Sequence, residues 1–358
     1  MLLVVGNRAN DAKVAINQFC EKYFIISAAT LCAKGIIDEW QDNYLGVFGF
    51  GMSPRVFEFM TTIAPEYIIT IGMDINERNT YQWSSFTQRI IHIDDEINHN
   101  SRDHYLMSDG YISNINILFN ELLSTCELEQ DLLASLNTRK KYIDKLQTPA
   151  IIATPHEDNR LYVDDVLHTV NGFCSKNTSF VTDSGLHRLY CAQILRLAHS
   201  SKYYSSVNNG HMGWAIAASM GIKLADHERD CICITGDGCM LMTGTEIQTA
   251  AKYKIKVLFI VLNNGAHGAI KNANIQYPQI GLVDHQYDIP HYDWSLFAKS
   301  FGVSSLSIKT NQQLYAALEM FRHISEPLLL DIYCNYDSSV NINWYYEEFI
   351  RINKNKTE

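Results

Sequence analysis

Two apolar stretches in this chain, Cys231-Ile232-Cys233-Ile234 and Val257-Leu258-Phe259-Ile260-Val261-Leu262, each run into a short polar loop. The first is followed by Gly236-Asp237-Gly238 and the second by Asn263-Asn264, with helix-compatible sequence between them. The pattern predicts a strand, a helix and a second strand. Parallel strands joined by a right-handed crossover carry their loops on one edge of the sheet, so Asp237 and Asn264 should meet at the carboxyl end, where such sheets bind ligands. Glycines on both sides of Asp237 let backbone amides come close to phosphate oxygens, while the carboxylate and the Asn264 amide offer hard oxygen ligands to magnesium. Either loop alone reads more readily as an ordinary turn than as a functional site. It is the pair, each closing an apolar strand, that suits a metal-bound diphosphate.

The same alternation runs through the rest of the sequence. Leu2 to Val5 reads as a buried strand leading into Gly6-Asn7-Arg8-Ala9-Asn10-Asp11 and a helix to about Lys22. Further strands are expected at Phe24 to Ser27, Tyr67 to Ile71 and Ile90 to Ile93. A second series begins near Val163, with strands at Phe180 to Thr182, Cys231 to Thr235, Val257 to Leu262 and Leu328 to Ile332. The small residues between Gly213 and Gly221 suit a helix packed closely on that sheet. The expected fold is α/β, with two doubly wound parallel-sheet domains. The expected boundaries are 1–140 for the first domain, 141–160 for a linker carrying Pro149 and Pro155, 161–340 for the second domain, and 341–358 for a Lys- and Asn-rich tail.

Composition excludes several classes of function. Lys and Arg number 29 against 39 Asp and Glu, a formal charge of -10, and no basic stripe is present to follow a nucleic-acid backbone. The nine cysteines form no Cys-x-x-Cys pair, so neither a zinc site nor a dithiol motif is expected, and their apolar neighbours suit reduced, buried thiols. No apolar run approaches the ~20 residues needed to span a bilayer, and Met1 to Gly6 is too short for a secretory signal. The expectation is a cytoplasmic protein without membrane or nucleic-acid partners.

With both loops in view, the sequence resembles the thiamine diphosphate enzymes, and within them the acetolactate synthase branch. The resemblance extends to Val181-Thr182-Asp183-Ser184-Gly185-Leu186-His187 and to Asn209-Gly210-His211-Met212-Gly213. It implies magnesium ligands at Asp237, Asn264 and the backbone carbonyl of Ala266. It implies cofactor contacts from His187, Gly210, Met212, Gly236, Gly238, Cys239, His267 and Gly268. Met212 would be the bulky side chain under the cofactor, or else plain core; His267 would be an acid or base, or else a hydrogen-bonding neighbour. Leu186 stands where the branch has glutamine and Ala269 where it commonly has methionine, so the resemblance implies a 2-oxo acid substrate without naming it.

The first half resembles the family's central, Rossmann-like domain through Gly46 to Gly51 with Pro54 and Arg55, Ile71-Gly72-Met73-Asp74-Ile75-Asn76-Glu77-Arg78, and His92-Ile93-Asp94-Asp95-Glu96. In acetolactate synthases those loops hold a flavin, so FAD is a further candidate, although Gly6 to Asp11 lacks the full Gly-x-Gly-x-x-Gly pattern. The family's pyrimidine-binding domain, which supplies the glutamate that activates the cofactor, would precede Met1. No catalytic residue is therefore expected on this chain. The resemblance implies 2-oxo acid decarboxylation and carboligation, in a homodimer or in a hetero-oligomer with a pyrimidine-domain chain. The alternative is a catalytically silent cofactor-binding or truncated protein.

Overall fold

The computed structural model describes residues 1–76, 79, 89–95, 109–125, 130–150, 156, 161–174, 177–198, 200–276 and 285–336. Glu77, Arg78, Glu96, most of the segment 151–160 and the expected tail 341–358 lie outside the described residues. The chain divides into two compact units, Met1–Ile151 with Arg196–His199, and Ile152–Leu195 with Ser200–Glu358.

The first unit is built on six parallel strands: β1 (Leu2–Val5), β2 (Ser27–Thr30), β3 (Tyr44–Phe48), β4 (Tyr67–Ile71), β5 (Arg89–Asp94) and β6 (Asp109–Ile112). Their order is β3-β2-β1-β4-β5-β6, so the chain reverses its direction of travel between β1 and β4. The helix Lys13–Tyr23 packs Ile16, Cys20 and Tyr23 into a core shared with Leu3, Val5 and Ile71. Ile115 and Phe119 of the helix Ile115–Thr125 close the same core.

Two expectations for this unit are corrected. The strand placed at Phe24 to Ser27 begins instead at Ser27, because Phe24 adopts the left-handed conformation (φ 48°) that ends the preceding helix. The Asn43 amide holds that reversal by donating to the carbonyls of Cys20 and Ile25, at 2.9 and 2.8 Å. The strand itself, Ser-Ala-Ala-Thr, is wholly buried, yet its small side chains carry little hydropathy signal. The presumed loop Gly46 to Gly51 is strand as far as Phe48. Gly46 leaves room for Ser53, whose hydroxyl accepts the Val47 amide at 2.9 Å.

The second unit has seven parallel strands: β7 (Leu161–Tyr162), β8 (Thr178–Thr182), β9 (Lys202–Ser205), β10 (Asp230–Gly236), β11 (Leu258–Asn263), β12 (Ser304–Ile308) and β13 (Leu328–Asn335). The order is β12-β13-β11-β10-β8-β9, with β7 paired to β13. Every residue of β11 is buried, as a strand covered on both faces requires. The chain leaves β8 for the β9 edge and returns on the other side of β8 as β10. The carboxyl ends of β8 and β10 therefore flank a topological switch point, the usual place for a ligand in an open α/β sheet. Gly236 pairs with Leu262, which brings the loops after β10 and β11 side by side. Among the described residues no helix is long and apolar enough to cross a membrane.

Phe259, fully buried on β11 within the main core cluster, is the side chain whose loss should cost this unit most. Phe259→Ala is expected to lower stability by about 3–5 kcal/mol, read as a lower urea midpoint.

Candidate cofactor site

At the carboxyl edge of the second sheet the chain places the loops of three neighbouring strands around one open cavity. Its wall includes Ser184 and His187 after β8, Asp237 to Cys239 after β10, and Asn264 with Ala266 to Ala269 after β11.

Asp183, the residue just before the first loop, is completely buried and organises its surroundings. One carboxylate oxygen accepts the amides of Ser184 and Gly213, both at 2.9 Å; the other accepts the Thr235 hydroxyl at 3.0 Å. It thereby joins the ends of β8 and β10 to the start of the helix Trp214–Ala225, where it also offsets the positive helix terminus. Burial raises its pKa above the ordinary value, although these hydrogen bonds oppose the rise.

His187, in the first turn of the helix Leu186–Ile194, folds back over Gly185. A Cβ at Gly185 would lie 2.6 Å from the imidazole Cε1, so only glycine allows this ring position. Burial, with the Arg188 charge as a smaller contribution, pulls the His187 pKa down to about 3, which leaves the ring neutral. Its Nε2 is buried without a hydrogen-bond partner among the described residues, a costly state that a bound ligand would relieve.

Asp237 opens the short helix Asp237–Thr243. Its Oδ1 accepts the Gly238 amide at 2.8 Å, and its Oδ2 accepts the amides of Gly265 at 2.7 Å and Ala266 at 3.3 Å. Burial still raises its pKa, which means that three amides do not fully replace the water this carboxylate has lost. Ala266 stands opposite Asp288 in an isolated antiparallel bridge, closed by Ile289 N–H to the Gly265 carbonyl and His267 N–H to the Tyr287 carbonyl, both 2.8 Å. In that non-hydrogen-bonded position the polar groups of Ala266 itself point away from its partner, and its amide goes to Asp237. Asn263 is not part of the wall: its amide donates to the Asp331 carboxylate at 2.9 Å and to the Tyr292 carbonyl at 3.0 Å, anchoring the loop from behind.

The remaining residues expected from the sequence divide clearly. Met212, Gly236, Gly238, Cys239, His267 and Gly268 all line the cavity. A Cβ at Gly238 would lie 2.8 Å from His267 Nδ1 and 3.1 Å from the Met212 methyl, so these two side chains pack closely on the buried Gly238 and only glycine fits there. The Cys239 thiol donates to the Ser184 carbonyl, and burial pushes its pKa up to about 12. It serves as wall, not as a nucleophile. Gly210 is outside the lining; its carbonyl accepts the Ser184 hydroxyl at 2.6 Å.

Tyr336 also lines the cavity and was not anticipated. It lies just beyond β13, within 3.3 Å of where a Gly268 Cβ would be and edge-on to Tyr190 at 5.2 Å. The available signal was its place immediately after a long apolar strand, on the ligand-binding edge of the sheet.

This constellation fits a magnesium-bound diphosphate. It combines hard oxygen donors from adjacent strands, cavity walls without side chains at Gly236, Gly238 and Gly268, and a neutral imidazole nitrogen in need of a partner. The family comparisons agree with that chemistry. The model of the thiamine pyrophosphate enzyme central domain matches residues 1–110, and that of the thiamine pyrophosphate enzyme C-terminal TPP binding domain matches residues 183–332. The chain belongs to the thiamine pyrophosphate enzyme family and is acetolactate synthase-like. Among curated relatives, the acetolactate synthase large subunit of Cyanidium caldarium is 27% identical over 344 residues, covering 92% of this chain and 57% of the relative. Acetolactate synthase of Arthrospira platensis is 25% identical, with 92% and 58% covered. The acetolactate synthase large subunit of Parasynechococcus marenigrum is 26% identical, with 93% and 54% covered. The chain thus spans rather more than half the length of the relatives it matches.

Because Asp183 satisfies donors from three segments, Asp183→Ala should strand a buried hydroxyl and two amides. The expected loss is about 3 kcal/mol in urea denaturation, with a smaller loss for Asp183→Asn, which keeps the size of the side chain.

Proposed function

We propose that this chain carries the thiamine diphosphate and Mg2+ site of a 2-oxo acid decarboxylase and carboligase of acetolactate synthase type, completed by a pyrimidine-binding domain on a separate chain. The observation that carries this reading is the junction of Asp237, Asn264 and Ala266 beside the unpartnered His187 Nε2, in a family whose C-terminal domain is described as TPP binding. A carboxylate and a diphosphate repel each other in a buried pocket unless a divalent cation lies between them, which is the electrostatic argument for Mg2+. In the proposed arrangement the Asp237 carboxylate, the Asn264 side-chain oxygen and the Ala266 carbonyl hold the metal. Gly238 and Gly268 lie around the diphosphate without a side chain to obstruct it, His187 meets its edge, and Met212 supports the cofactor rings. When bound, the cofactor supplies an electron sink for the carbanion left by decarboxylation. This chain's own residues bind and orient it.

Isothermal titration of thiamine diphosphate with Mg2+ into the purified chain tests the binding half of the proposal. Saturable binding is expected, weakened by at least about 100-fold in Asp237→Ala and Asn264→Ala, since loss of even a supporting residue around a metal costs 10–100-fold. Unchanged affinity in both variants would remove the assignment.

One observation favours a second reading, a cofactor-binding protein without catalysis of its own. Among the described residues Asp237 is the sole carboxylate in the cavity wall, and the proposal commits it to the metal. A site lacking its acid-base group loses a factor of about 10²–10⁴ in rate. Pyruvate and other 2-oxo acids should therefore turn over only after a pyrimidine-domain chain is added, assayed by loss of substrate and appearance of acetohydroxy acid. Turnover by the chain alone would exclude the silent reading, and no turnover with any partner chain would favour it.

A further inference from the structure

We infer that the first unit accepts no flavin or other dinucleotide at its switch point, because the β1 loop and Arg8 already fill that position. In a doubly wound sheet the pyrophosphate of a dinucleotide sits beyond the end of β1, against free amides of a glycine-rich loop and the N-terminus of the following helix. Here three amides of that loop are committed elsewhere and the helix starts further along the chain.

The amides are used first. Gly6 N–H donates to the Ile71 carbonyl at 2.8 Å, Arg8 N–H to the Gly72 carbonyl at 3.1 Å, and Ala9 N–H back to Gly6 at 3.2 Å. The space is used as well. A Cβ at Gly6 would lie 2.2 Å from the Gly72 carbonyl oxygen, and one at Gly72 would lie 2.6 Å from the Ala9 amide nitrogen. The loops after β1 and β4 are thus in direct backbone contact, with no cleft between them for a phosphate. The helix Lys13–Tyr23 is also displaced from the strand end by a 3-10 turn, Asn7–Ala12.

Charge completes the closure. Arg8 reaches across the ends of β4 and β5. Its Nη1 pairs with Asp74, its Nη2 with Asp94, and its Nε lies 3.0 Å from each Asp94 oxygen. The guanidinium fork is therefore filled by two carboxylates, and the group carries a net negative charge that repels a pyrophosphate. His92 extends it, with Nε2 at 3.4 Å from Asp94 and Nδ1 at 2.8 Å from the Thr70 hydroxyl. The Asp94 side chain is 1% exposed. Burial pushes its pKa up, but hydrogen bonds from His92 and Arg8 outweigh this and hold it at about 2. A carboxylate held below its ordinary value adds stability above about pH 4 and loses it as the pH falls toward the folded pKa. Arg8, Asp74 and Asp94 thus act as an internal ion lock where a dinucleotide would lie.

The inference uses residues of the first unit only and stands or falls separately from the thiamine diphosphate reading. The test is a fluorescence titration of FAD into the full chain, with a visible absorption spectrum of the protein as purified. The expected result is no bound flavin and no saturable quenching; stoichiometric flavin in either measurement overturns the inference. In parallel, Arg8→Met is expected to lower the melting temperature near neutral pH by roughly 2–5 °C, because it leaves the buried Asp94 without its cation although Arg8 itself is only partly buried, with the difference shrinking below about pH 4. An Arg8→Met protein that melts like the unaltered chain removes the lock. If that variant does not fold, the FAD titration of the unaltered chain decides the question.

Discussion

The second unit depends on the hydrogen bonds gathered around one buried carboxylate. Asp183 has no exposure to water, and its carboxylate is balanced by an amide from its own loop, an amide from the start of the helix Trp214–Ala225 and a hydroxyl from β10. Two of these donors, Gly213 and Thr235, come from segments distant in sequence, so the carboxylate gains its full set only when those segments are in place. That requirement fixes the backbone on either side. Ser184 is held against Gly210, Cys239 against Ser184, and Met212 next to the capped helix end. The cavity is the space left when these restraints are met.

Asp237 shows the opposite use of a buried carboxylate. It too accepts three hydrogen bonds and has its pKa raised by burial, as Asp183 does, but all three donors are amides of the loops that frame the cavity. The protein surrounds Asp183 with donors and leaves Asp237 beside open space. A group so placed favours a cation over a proton or water, since a fixed positive charge cancels the desolvation that three neutral dipoles leave uncompensated. Two aspartates with the same degree of burial are thus separated into a framework role and a ligand-facing role by what each one meets.

Much of this was visible in the sequence. The apolar runs of β10 and β11 announce buried parallel strands, and the polar loops at their ends, once the strands are known to be adjacent, give the position of Asp237 and Asn264. The division of labour between Asn263 and Asn264 was not visible. It depends on Asp331 reaching behind β11 from a strand that is distant in sequence. Tyr336 was hidden for the same reason, since only the order of β11 and β13 in the sheet brings it to Gly268. In the first unit, β2 was misplaced because four small residues bury fully without looking hydrophobic, while the edge strands β6 and β9 carry too many polar or exposed residues to stand out. The pairing of Arg8 was not legible in the sequence, because its partners lie at the ends of two other strands.

The order of strands also bears on how the site comes into being during synthesis. β13 is among the last parts of the described chain to be made, yet it belongs between β11 and β12, one strand in from the edge of its sheet. It carries Asp331, whose carboxylate fixes both Asn263 and the amide that begins the helix Trp294–Ser300. Until Leu328–Asn335 emerges, β11 has an unpaired edge, and the loop bearing Asn264 and Ala266 lacks its anchor. Non-local parallel pairing of this kind is slow to form. A nascent chain already containing all three proposed metal ligands would still have no metal site, and the unpaired flank of β11 would be a place for chaperones to bind and for neighbouring chains to aggregate.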